Sequence, residues 1–75
     1  SSVKTLVFDL GRVKFLNSMG LGMLIEMRGE AHRLQLATGM VNVNDDLARV
    51  IKTMKIHRLI PICNTARKLQ RLMAA

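Results

Sequence analysis

The chain opens on an apolar stretch broken by a single acid: residues 3–10 read VKTLVFDL. β-Branched and aromatic residues dominate it, and within LVFDL only Asp9 is polar, the pattern of a strand buried on both faces. Gly11 to Asn17 reads as a connection carrying a short apolar piece, Val13-Lys14-Phe15-Leu16. From about Gly20 to Leu34 the period changes to that of a helix. Leu21, Leu24, Ile25 and Ala31 fall on one side, and Met23, Glu26, Glu30 and Arg33 on the other. Gly29 interrupts this helix at a cost of about 1 kcal/mol relative to alanine. A second strand is predicted over Ala37 to Val43, with Gly39 as its weak point. Asn44-Asp45-Asp46 then makes a helix start, because a side-chain oxygen there accepts the free N–H groups of the first turn. The helix covers about Asp45 to Met54, with Leu47, Val50, Ile51 and Met54 as its apolar stripe. Leu59 to Cys63 reads as a third strand, which Pro61 places at an edge. Asn64 or Thr65 caps a last helix, with Leu69 and Leu72 inward and Arg67, Lys68 and Arg71 outward.

The predicted order is therefore β-α-β-α-β-α. Short connections between such units imply parallel strands and right-handed crossovers, an α/β fold. No linker, repeat or low-complexity stretch divides the chain, so residues 1–75 form one small domain with a modest core. No apolar run approaches the roughly 18–20 residues that span a bilayer. The start, SSVKTLVFDL, lacks the basic and apolar regions of a signal peptide, and a cytoplasmic location is expected. The lone Cys63, inside LIPIC, reads as a buried small hydrophobe in a reducing compartment.

Charge changes the picture only a little. A net charge of +7 favours an acidic partner. Yet the only aromatics are two Phe, too few for a platform of stacked bases, and no zinc spacing or RNP-like motif is present, so a small basic nucleic-acid-binding domain is the lesser alternative and no nucleic acid is expected. Arg49, Lys52, Lys55 and Arg58, like Arg67, Lys68 and Arg71, read as solvated faces rather than a docking stripe. His32 and His57 have no paired ligand pattern and are expected to face solvent. No nucleophile–base pair or metal set emerges, so neither catalysis nor a cofactor or metal is expected.

The turn NSMGLGML, residues 17–24, is the stretch that asks for a function. A helix N-terminus there carries unpaired N–H groups and positive potential. Either Asn17 or Ser18 serves merely as the cap, or the turn is a recognition site. Gly20-Leu21-Gly22 has neither the P-loop nor the dinucleotide spacing. Met19, Met23 and Met27 are spaced by four; Met27 borders the apolar side and is expected in the core, while Met19 and Met23 suit a small adaptable interaction patch.

Residues 6–24, LVFDLGRVKFLNSMGLGML, resemble the signature of the STAS domain, the anti-sigma factor antagonist family. That signature is a hydrophobic strand ending in Asp-Leu, a short link, then Asp-Ser-Ser-Gly-Leu-Gly. The similarity continues through MVNVNDDLARVI and IHRLIPICNT, so it runs from about Leu6 to Leu72. It implies a STAS-like fold and a non-catalytic, protein-binding role in bacterial transcription regulation and signalling. The partner would be an anti-sigma factor or switch kinase, and the contact would be carried by Asn17, Ser18, Met19, Gly20, Leu21, Gly22 and Met23. The family's phosphoacceptor precedes the first Gly, where this chain has Met19 without a hydroxyl; the neighbouring Ser18 is a weak candidate for modification. An alternative that the resemblance also allows is a regulatory domain of a membrane transporter. A full STAS domain begins with two strands and a helix ahead of this point. The expectation is an N-terminally incomplete domain that pairs with a second copy, as a homodimer, or with a separate N-terminal fragment.

Overall fold

In the computed structural model, which describes residues 3–74, two parallel strands form the sheet. They are β1 (Thr5–Asp9) and β2 (Ala37–Val41), with Leu6 opposite Thr38 and Phe8 opposite Met40. Helix α1 (Ser18–Arg33) makes the crossover between them. Helix α2 (Asp45–Thr53), a 3-10 turn (Ile56–Arg58) and helix α3 (Ala66–Ala74) follow. This is the mixed α/β arrangement expected from alternating strand and helix periods.

Because strand side chains alternate, Leu6, Phe8, Thr38 and Met40 share one face of the sheet and Val7 and Gly39 the other. The first face holds the core. Phe8 and Met40 meet Leu21 and Leu24 of α1 and Leu47 and Ile51 of α2, closed off by Val43, Ile56 and Ile60. Helix α3 lies against β2 on the second face, where Leu72 comes up against Gly39.

Four expectations change. The third strand shrinks to one parallel bridge, Met40 with Ile62, in which the Met40 N–H donates to the Pro61 carbonyl at 2.8 Å. Its first half winds instead: the Ile60 N–H donates to the Ile56 carbonyl at 2.9 Å, which buries both isoleucines on the core side. Strand β1 is covered on one face only, since Val7 stays 36 % exposed. Strand β2 stops at Val41 because Asn42 turns to the left-handed region at φ 57°. Finally, Ile25, Met27, Val50 and Met54 lie exposed beside the buried stripes of α1 and α2. Each helix needs only a narrow stripe against so small a sheet.

Helix α1 begins at Ser18, two residues before the expected start, and ends in a left-handed cap. The Leu36 N–H donates to Ala31 at 2.8 Å and the Gln35 N–H to His32 at 2.9 Å, the two bonds of a Schellman closure. Gln35 takes φ 61° to make it, where a glycine would avoid a steric cost of roughly 1–2 kcal/mol.

Gly39, which reads as a weak point, is the seat of α3. A methyl group there would collide with Leu72 Cδ2 and lie 3.2 Å from Cys63 Sγ. We expect Gly39→Val to destabilise the fold by about 1–3 kcal/mol through overpacking. In a Leu72→Ala background the same change should cost less, because the blocking atoms are gone. Urea denaturation of the four proteins measures this; an equal loss in both backgrounds would show that α3 is not seated on Gly39.

Candidate functional site

The start of α1 is placed by hydrogen bonds made at the carboxyl end of the sheet. Asp9 closes β1, and its Oδ1 accepts from the Gly11 N–H at 2.9 Å and from Asn42 Nδ2 at 3.1 Å. These bonds, Asn42's first, hold the carboxyl below its ordinary pKa, with a further contribution from the Arg12 charge, so Asp9 is ionised at neutral pH. Asn44 Oδ1 caps α2 by accepting from the Leu47 N–H at 2.8 Å. Its Nδ2 donates to the Val13 and Lys14 carbonyls at 3.1 and 3.2 Å, which ties the β1–α1 connection to the next helix. Asn64, expected as a cap, instead grips Val43: Val43 N–H to Oδ1 at 3.0 Å, and Nδ2 to the Val43 carbonyl at 2.8 Å. Thr65 is the residue that caps α3, accepting from the Lys68 N–H at 3.2 Å.

Asn17 is the cap of α1. Its backbone is extended, its Oδ1 accepts from the Gly20 N–H at 2.9 Å, and its carbonyl accepts the first helical bond from Leu21 at 3.0 Å. Ser18 is the first helical residue and is exposed. Met19 is 75 % exposed and Met23, one turn on along the same face, is 56 % exposed. Gly20 is half-buried, and a Cβ on it would come within 2.9 Å of Leu16 Cδ2. Gly22 faces open space with no atom within 4 Å of such a Cβ.

Two site expectations need correction. Leu21 is buried in the core, so it fixes the helix from below and offers nothing to a partner. Met27 is 45 % exposed and continues the stripe of Met19 and Met23 along the outer side of α1. A residue that the sequence did not single out joins this surface: Phe15, two residues before the cap, is 79 % exposed, the most open of the large apolar side chains. Val13 and Leu16 of the same piece pack on the core. The segment has neither strand nor helix period, so nothing in the order of its residues says which side chain turns outward.

The arrangement sets exposed apolar side chains beside an open helix start. Its first turn holds no acid, which leaves the positive end of α1 open. Among the described residues no group of three or more His, Cys, Asp or Glu side chains comes together. Cys63 is buried, as expected. No helix among the described residues is long and apolar enough to cross a membrane. His57 departs from expectation: it is half-buried, and its Nδ1 is shut off from solvent without a hydrogen-bond partner. It borders a pocket that also gathers Lys52, Lys68 and Arg71, which sequence spacing assigned to separate solvated faces.

The two candidate caps are separable by experiment. We expect Asn17→Ala to cost about 1 kcal/mol of stability and Ser18→Ala to stay within about 0.5 kcal/mol of the parent. Chemical denaturation monitored by circular dichroism gives both values. The opposite ranking would make Ser18 the cap.

The family model for the STAS domain matches residues 1–69. No curated protein and no solved structure matches the chain. The match covers both strands, the capped turn, α2 and the first turn of α3, and on it the chain belongs to the STAS domain family.

Proposed function

We propose that this STAS domain is a non-catalytic protein-binding module of the anti-sigma factor antagonist type. It presents the start of α1 to its partner and is not switched by phosphorylation at the family's usual position. The observation that carries the reading is the exposure of Phe15, Met19 and Met23 around an open helix N-terminus. Large apolar side chains held in water beside a rigid cap mark an interaction surface. Methionine adapts to the shape of what it meets. Gly22 adds room, because nothing stands over it and a partner's backbone can approach closely.

In this reading Met19 cannot accept phosphate, so the surface stays in its binding form. A charge placed there imitates the family's phosphorylated state. We expect Met19→Asp to leave folding unharmed or improve it by a few tenths of a kcal/mol. Affinity for an anti-sigma factor or switch kinase should fall about tenfold, equal to ~1.4 kcal/mol. Unchanged affinity would place the interface elsewhere on the molecule. The absent hydroxyl also suits a regulatory domain of a transporter; binding to a permease's cytoplasmic part, with none to an anti-sigma factor, would select that role.

The partner set in this proposal includes a second copy of the chain. Lys4 and Leu10 bond to β2 through their backbones, so the backbone groups of Thr5, Val7 and Asp9 point to the outer edge of β1. Beside that edge lies an open groove of about 350 Å³, lined by Leu6, Met27, Leu34 and Leu36 with Glu26 and Glu30 at its border. An edge strand next to apolar surface is a template for pairing. The expected outcome is a dimer in sedimentation equilibrium that dissociates on tenfold dilution or with Val7→Lys. A monomer throughout the series would remove self-pairing from the proposal.

A further inference from the structure

We propose a second binding site, distinct from the start of α1, for a small soluble amphiphilic anion: an apolar body carrying a carboxylate or phosphate head. The site is the pocket between the last turn of α2, the 3-10 turn and α3, with a volume of about 470 Å³. That lies within the roughly 300–1,000 Å³ of ordinary small-molecule sites. Its composition is two-sided. Lys52, Lys68 and Arg71 are exposed and stand at the rim, while Ile62, Cys63 and Leu72 are buried or half-buried and form its interior.

The charges there are uncompensated. Among the described residues the ion pairs are Arg33 with Glu30 and Arg49 with Asp46, both elsewhere, and no acid lines the pocket. Lys52, Lys68 and Arg71 therefore have no carboxylate partner among the described residues. Three like charges converging on one concavity repel one another, and an anion relieves that repulsion while gaining charge-assisted hydrogen bonds. The apolar interior asks for more than an inorganic ion, since its surface stays wet unless something covers it.

His57 adds an independent observation. Its ring borders the pocket, and its Nδ1 is the buried side-chain nitrogen or oxygen among the described residues that lacks a partner. A buried polar atom left unpaired is destabilising. Rotation of the ring toward the pocket gives that nitrogen an anionic head to bond. The unpaired atom and the unpaired charges are then satisfied by one ligand. The same set of groups repels cations.

Octyl phosphate below its micelle concentration is the probe, with inorganic phosphate and octanol as its two halves. Each is titrated into ¹⁵N-labelled protein and followed by amide and histidine ring shifts. The expected result is saturable shifts centred on His57, Ile62 and Lys68, with each half binding at least about tenfold more weakly than the whole. Lys68→Gln with Arg71→Gln, both on the exposed side of α3, should weaken octyl phosphate about tenfold, whereas Arg49→Gln should not change it. Intact amide spectra of the variants exclude unfolding as the cause. Equal affinity of the double variant, shifts scattered over the whole basic surface, or inorganic phosphate binding as well as octyl phosphate would each overturn the site. Capture by phosphatidate vesicles that octyl phosphate cannot reverse would overturn a soluble ligand.

Discussion

A sheet of two short strands cannot satisfy the backbone of the loops that leave it, and this chain meets the shortfall with side-chain amides. Buried peptide groups must find partners. Asn64 supplies both a donor and an acceptor to Val43, doing for one residue what a neighbouring strand would do. Asn44 caps α2 with its oxygen and holds the β1–α1 connection with its nitrogen. Asn42 reaches back to Asp9 at the end of β1. Three connections that are far apart in sequence are thereby fixed to one another at the carboxyl end of the sheet. The orientation of α1, and with it everything at its N-terminus, depends on those bonds.

Helix α1 carries two demands on one cylinder. Leu21, Leu24 and Ala31 are buried beneath it, yet Met19, Met23, Ile25 and Met27 are apolar and exposed. A helix that is apolar on more than one side is normally buried on more than one side. Helix α1 has cover on one side only, so these four apolar side chains stay in water. Helix α3 differs: its exposed side is mostly polar, with Arg67, Lys68, Gln70 and Arg71, and Met73 is the large apolar residue exposed on it.

The elements with a clear period were legible. Leu21, Leu24 and Leu47, Ile51 recur at helical spacing and are buried. Asn44 names its own helix start. The stretch from Ile56 to Cys63 misled because its apolar residues support a strand locally, while Ile56 and Ile60 at four-residue spacing also suit a turn of helix. Burial of both isoleucines against the core decided for the turn. Gly39 was read by its propensity, whereas its role is set by Leu72, more than thirty residues away in sequence. At the site, Asn17 and the two methionines were visible because cap chemistry and i, i+4 spacing are local. Phe15 was not, because its segment has no period, nor was the gathering of Lys52, His57 and Arg71, which only the packing of α3 beside the end of α2 brings together.

The single bridge at Ile62 bears on how the molecule opens. Helix α3 has no fully buried residue, and it is joined to the rest by that bridge, the Asn64 grip and the contact of Leu72 with Gly39. Local stability follows the buried contacts an element makes. The C-terminal helix contributes no buried residue to the core that β1, β2, α1 and α2 share, so its detachment would leave that core intact. Such a detachment uncovers the glycine face of the sheet without disturbing the start of α1.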